Sequence, residues 1–339
     1  AQVIRSERQL EALLARGIHA DVEEIKALAA GRKVEPQPPT LFARWGRCYW
    51  GLDSLAREPL PPEDFRAACS ELGEGLQSLV EQQPDVALYL MLRQESHHLR
   101  MYGLTHAVYT AALAWLLARR LQWSAAQQHT LLMAALTMNL ACLELQGRFA
   151  IYGRLTGEQR DELRAHPDAA VARLRAAGIA DETWLRAVLE HHEHADGLGY
   201  PRGLREVCEA AQLLRLADVF LAKISRRESR PALDLREAER QAYAEYPSSP
   251  MVAALIREFG PLPPGEVVAL ANGERGVVIR RGATPQTPLV ATLTDRRGMP
   301  CQASLKRDTS QPEFAFKALE PDRQLVARLP PERVYGLLS

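Results

Sequence analysis

Residues 191–201 read HHEHADGLGYP. The stretch follows an apolar-periodic segment opened by Asp181, so it places paired imidazoles, His191 and His192, at the end of a helix. A glycine-rich turn through Asp196, Gly197 and Gly199 comes next, closing on Tyr200 and Pro201. Neutral imidazoles grouped before a tight turn suit a first-row divalent metal such as zinc, iron or manganese. A bare pair of histidines is weak evidence; the whole string HHE with DGxGYP is specific.

Composition bounds what surrounds this stretch. The chain has 339 residues and 47% hydrophobic content, enough for a sizeable core and more than one domain. Forty-two basic residues balance 42 acidic ones, so no global field favours nucleic acid or an anionic membrane, and any anion site must be local. The five cysteines are widely spaced with no CxxC pair, which argues for reduced core residues over a disulfide frame. The apolar runs 107–118 and 131–145 are too short or too interrupted to cross a bilayer. With no signal-peptide pattern either, the cytoplasm is the expected location.

Along the chain, residues 1–83 read as an N-terminal helical region, with an EPQPPT linker at 35–40 and an aromatic stripe of Phe42, Trp45, Tyr49 and Trp50 that reads as packing. From residue 84 to 259 the helices tighten. One carries His106 and Thr110 on a single face, and the next, capped by Ser124, is apolar almost all round from Leu131 to Leu145 and reads as the central buried helix. Thr156 with Gln159 caps another, and His166-Pro167 precedes a further helix ended by Gly178. Val207 to Ile224 is one more, carrying Asp218. Residues 260–339 change grammar into a small β-rich domain: strands are expected at 267–270, 277–280, 289–294, 314–319 and 325–329, with Asn272-Gly273 as a hairpin turn.

The HHE…DGxGYP string resembles the signature of the HD-GYP family, bacterial metal-dependent phosphodiesterases that hydrolyse cyclic di-GMP. The resemblance implies a mainly helical bundle at 84–259 and, by order and type, metal ligands at His106, His166, His191, His192 and Asp218. It also implies substrate phosphate contacts at Arg227 and Arg230, and a contact with a diguanylate cyclase or other signalling protein through Gly199, Tyr200 and Pro201. For the arginines, together with Arg226, a solvated helix end is an equally good reading.

The chain departs from the family at one place. Where the family resembles LLHDIGK, residues 136–142 read LTMNLAC, so Met138, Asn139 and Cys142 stand for the histidine, aspartate and lysine. An amide is neutral and has one carbonyl oxygen, so Asn139 does not bridge two metals as a carboxylate does. The Met138 thioether is too soft for such ions, and the cation facing the phosphodiester is gone. The expectation is a degenerate member with no catalytic residue intact. It would hold no metal, or a single zinc, iron or manganese ion at the remaining histidines, and would bind cyclic di-GMP or a protein partner, including a second copy of itself. Two alternatives stay open: a working phosphodiesterase on a reduced metal site, and a pure interaction scaffold. His19, His97, His98, His129 and His194 are taken as surface or supporting residues.

Overall fold

The computed structural model describes residues 39–93, 99–321, 326–327 and 329–337, so expectations for residues 1–38, for His97 and for His98 lie outside the described part. Residues 42–339 form one compact unit.

Two amphipathic helices lead, α1 (Leu41–Arg57) and α2 (Pro62–Gln82), followed by α3 (Pro84–Arg93) and α4 (Tyr102–Arg120). The aromatic stripe of α1 is core. Trp45 is buried, and the Tyr49 hydroxyl lies 2.8 Å from that of Tyr109 on α4, the two rings meeting edge to face. Helix α4 packs against α5 (Ala125–Thr137) and α6 (Leu143–Tyr152), and later helices close its other sides, so α4 holds the centre of the bundle. Ala107, Ala111, Ala114 and Ala118 are buried at helical spacing, and their small side chains let those neighbours approach on several faces.

The expected single helix through Leu131–Leu145 is therefore two. Ser124 and Gln127 form the capping box of α5, but the helix stops at Thr137 and residues 138–142 are turns. Thr137 Oγ1 donates to Met133 O at 2.7 Å, and shorter-range backbone bonds, Leu140 N to Thr137 O and Cys142 N to Asn139 O, carry the chain onward. The following helix docks tightly: a Cβ at Gly103 would lie 2.1 Å from Leu143 O.

The two helices expected around His166 are one. Helix α7 (Gly157–Ala176), with the Thr156–Gln159 capping box in place, runs through Pro167. Asp181 caps α8 (Glu182–Glu190), its carboxylate accepting from Thr183 N and Trp184 N, and the helix ends by presenting His191. After the glycine-rich loop come α9 (Glu209–Ile224), α10 (Leu235–Glu245) and α11 (Pro250–Phe259).

The C-terminal sheet has strands β1 (Val267–Leu270), β2 (Arg275–Arg280), β3 (Leu289–Thr294), β4 (Lys306–Asp308) and β5 (Phe316–Leu319) in the order β4-β3-β2-β1-β5, all antiparallel. Asn272-Gly273 turns the first hairpin, with Gly273 at φ +91. The expected strand at 325–329 is not one: residues 326–327 are helical, and Arg93 takes the Leu329 carbonyl at 2.6 Å, satisfying backbone that a strand partner would otherwise need. The charged β4 has no apolar alternation to betray it. The chain closes with α12 (Pro331–Tyr335). Arg281 ties the sheet to the helices, donating to Asp85 Oδ1 at 2.5 Å and to Glu258 Oε1 at 3.1 Å, while Arg120 pairs with the other oxygen of Glu258.

Thus the mainly helical bundle with a small C-terminal sheet is present. Among the described residues no helix is long and apolar enough to cross a membrane, and the cysteines there are free.

Candidate metal and anion site

The middle of α7 and of α9, the end of α8 and the first turns of α4 carry the signature residues. Helix α7 contributes His166 from its interior. Helix α8 contributes His191 at its C-terminus, with His192 following. Ligand nitrogens of these three histidines lie within 4.8 Å of one another, a grouping that could hold one metal ion.

Their orientation is set by backbone carbonyls. His166 Nδ1 is 2.6 Å from Leu163 O, and His191 Nδ1 is 2.6 Å from Val188 O. A carbonyl only accepts, so each Nδ1 carries the proton and each Nε2 presents a lone pair. Those two Nε2 atoms are 3.1 Å apart. Burial lowers the pKa of all three histidines, that of His191 to about 3, so the rings stay neutral at physiological pH. Two facing lone pairs at that distance repel unless a cation lies between them. The donor set therefore fits a divalent metal, and the carbonyl anchors are the kind of support that fixes ligand orientation in metal sites.

His106 and Asp218 form the other half. Nε2 of His106 lies 2.7 Å from Oδ1 of Asp218 in a buried pair. Burial pushes the Asp218 carboxyl up, but the His106 hydrogen bond and charge hold it well below the usual carboxylate range. Within the same half, the Tyr102 ring stacks on His106 at 5.2 Å between centroids.

The degenerate positions lie in the turn between α5 and α6. Met138, Asn139 and Cys142 are buried. The Cys142 thiol is 3.6 Å from Asn139 Oδ1, and Asn139 Nδ2 has no hydrogen-bond partner among the described residues. Burial pushes the Cys142 thiol far up, so it is neither thiolate ligand nor nucleophile.

Arg227 and Arg230 are not on the helix of Asp218, as the sequence suggested. Helix α9 ends at Ile224, Ser225 is extended, and the two arginines pair through their backbones across a tight turn, Arg227 N to Arg230 O at 3.0 Å and the reverse at 3.1 Å. The Ser225 hydroxyl takes the Leu221 carbonyl at 2.6 Å, a local bond that competes with continued helix. The turn returns Arg227 over α4. Its guanidinium donates to the Tyr102 hydroxyl, lies 4.8 Å from the Tyr102 ring centroid and leaves Nε buried without a partner. Burial and then the Arg227 charge lower the pKa of Arg230.

The GYP segment is held from behind. The Glu193 carboxylate accepts from Arg202 N at 2.7 Å and Leu204 N at 2.9 Å. A Cβ at Gly199 would lie 2.3 Å from His194 N and 2.4 Å from Glu193 Cα, so only glycine lets the loop fold back there. Tyr200 then stacks on His192 at 4.5 Å, with the Arg164 guanidinium 5.1 Å from the Tyr200 ring. Leu198 stands out at the tip, 86% exposed. His194 is half-buried and pairs with Asp196 at 2.6 Å, and His129 is exposed.

Sequence reading missed Tyr102, Arg164 and Glu193 as parts of this site. Glu193 carried a signal, its place in HHE; Tyr102 and Arg164 carried none, since stacking partners are set by packing.

The chain is similar to known proteins. The HD domain family model matches residues 87–242. The chain is 27% identical over 238 residues to the cyclic di-GMP phosphodiesterase PA4108 of Pseudomonas aeruginosa, covering 68% of this chain and 56% of that protein's length. A solved chain, Bd1817, an HDG"Y"P protein from Bdellovibrio bacteriovorus, matches with a TM-score of 0.50 at 16% identity, over 63% of this chain and 70% of that one. That likeness shows a shared fold.

Proposed function

We propose that this chain, whose residues 87–242 belong to the HD domain family in its HD-GYP form, is a degenerate member that acts in cyclic di-GMP signalling by binding and not by turnover. The observation that carries this reading is the content of the 138–142 turn. A buried thioether and a buried amide stand where the family has its His-Asp pair, and the amide oxygen faces a thiol.

His166, His191 and His192 would hold at most one divalent ion, and a metal bound there would supply Lewis acidity toward a phosphodiester oxygen. The chain's own residues supply the rest. Arg227 and Arg230 offer guanidinium groups to phosphate, and Tyr200 and Tyr102 stack on His192 and His106 and hold those rings in place. With Asn139 neutral and Cys142 uncharged, the site lacks the carboxylate that would bridge to a second metal and the cation that would face the phosphodiester. Binding survives these losses; hydrolysis does not.

A second reading, a phosphodiesterase on one metal, draws support from the convergent Nε2 atoms of His166 and His191. The exposed tip at Leu198, beside Gly199, Tyr200 and Pro201, supports docking of a diguanylate cyclase or other signalling protein, which on its own is the scaffold reading. Metal analysis with a cyclic di-GMP hydrolysis assay and titration calorimetry tests all three. Binding of cyclic di-GMP with at most one metal per chain and only trace linear product is expected. Hydrolysis abolished by His191→Ala favours the one-metal enzyme, and absence of nucleotide binding favours the scaffold.

A further inference from the structure

A proline in a helix interior removes a backbone hydrogen bond, because its nitrogen carries no proton to give to the carbonyl four residues back. For Pro167, inside α7, that carbonyl is Leu163 O. It is the atom that Nδ1 of His166 approaches to 2.6 Å. The neighbouring histidine uses the same device by a different route: α8 ends at Glu190, before residue 192 can donate as part of the helix, and the Val188 carbonyl is taken by His191 Nδ1, also at 2.6 Å. One carbonyl is opened by a proline, the other by a helix end.

We propose that Pro167 is a positioning residue for His166. By withholding an N–H it leaves the Leu163 carbonyl to the His166 ring, which fixes the Nδ1–H tautomer and turns the Nε2 lone pair toward His191 Nε2, 3.1 Å away. With any other residue at 167, the helix's own amide competes for that carbonyl, and the ring's bond to the partner that selects its tautomer weakens. The proline is unfavourable for the helix itself, so its presence here is explained by the side chain it orients. The tautomer claim stands on the geometry alone; its consequence for metal affinity rests on the reading above that these histidines hold an ion.

The test is Pro167→Ala in the full chain. In metal-free protein, the nitrogen-15 shifts of the His166 ring are expected to show a single Nδ1–H tautomer in the wild type and a mixed population in the variant. Affinity for zinc, read by competition with a chromophoric chelator, is expected to fall about 10- to 100-fold, the usual loss when the support behind a ligand is removed. The melting temperature of the metal-free variant is expected to stay level or rise, since alanine suits a helix interior better than proline. A purely structural role would move stability and affinity together. An unchanged tautomer overturns the inference, as does a mixed tautomer with zinc affinity within twofold of wild type. If the wild type binds no zinc, the metal reading fails and the tautomer measurement decides the inference by itself.

Discussion

His106 and Asp218 are joined in a buried pair, Nε2 to Oδ1 at 2.7 Å, although 112 positions separate them in sequence. The pair bolts α4 to α9 beneath the three-histidine cluster, and it makes the two members unequal. With asparagine in place of Asp218, the imidazole keeps an oxygen to hydrogen-bond. A buried carboxylate that loses its partner remains charged.

Removing His106 should therefore cost more than neutralising Asp218. His106→Ala is expected to lower stability by about 3–5 kcal/mol, the usual result of stranding one member of a buried pair. Asp218→Asn, which keeps a hydrogen-bonding oxygen, is expected to cost less. Urea melts of metal-free protein at neutral pH check the order, and equal losses would show that the pair is not what holds these helices.

Met138→His with Asn139→Asp is expected to raise metal content from at most one ion per chain to two. Both positions are buried in the turn at 138–142, and the change replaces a thioether and an amide by an imidazole and a carboxylate. Elemental analysis of the two proteins, purified side by side, reads it directly. Turnover is expected to remain limited while Cys142 occupies the lysine position.

Arg227→Ala is expected to weaken cyclic di-GMP binding about tenfold or more, since charge-assisted bonds to phosphate contribute about 1.5–3 kcal/mol each. Calorimetry on this variant and on Arg230→Ala makes the comparison. Equal binding by wild type and both variants would remove the arginine turn from the nucleotide site.

Gly199→Ala is expected to unseat the GYP loop, because its Cβ would lie within 2.3–2.6 Å of the backbone of residues 193 and 194. Amide exchange in residues 196–204 is the readout, with Glu193→Gln as a milder companion that weakens the two backbone bonds holding the same loop. Faster exchange confined to the loop is expected in both, larger for Gly199→Ala.

The sheet offers a test by pH. Glu274 receives two bonds from Arg307, at 2.7 and 2.8 Å, and the Arg307 hydrogen bond holds its carboxyl below the usual value against the opposing effect of burial. A lowered folded-state pKa means stability that is present above the unfolded value, about 4.3, and lost as pH falls through the folded one. The difference in melting temperature between wild type and Glu274→Gln is expected to hold from pH 7 to about 5 and to shrink below about 4.

The grouped histidines and the turn after them were legible in sequence because their pattern is local, whereas Tyr102 and Arg164 were not. The HHE and DGxGYP string, the capping pairs at Ser124 and Thr156 and the hairpin at Asn272-Gly273 each depend on neighbours a few positions away, and each stands in the structure where the pattern placed it. What sequence periodicity alone does not reveal is where a hydrophobic run is interrupted by tertiary demand. The 131–145 run became two helices because Thr137 turned its hydroxyl on its own backbone and Leu143 docked against Gly103. Pro167, a helix breaker by local rule, sits inside a helix, and the adjacent His166 ring makes use of the carbonyl it frees. Arg227 reached α4 only through a backbone turn that no helical periodicity contains. The sequence by itself determined which side chains the site has and which it lacks, Met138 and Asn139 included. The tertiary structure alone decided their pairing, His106 with Asp218 and His166 with His191, because pairing depends on how helices far apart in the chain pack, and packing energy is not written in any short stretch of residues.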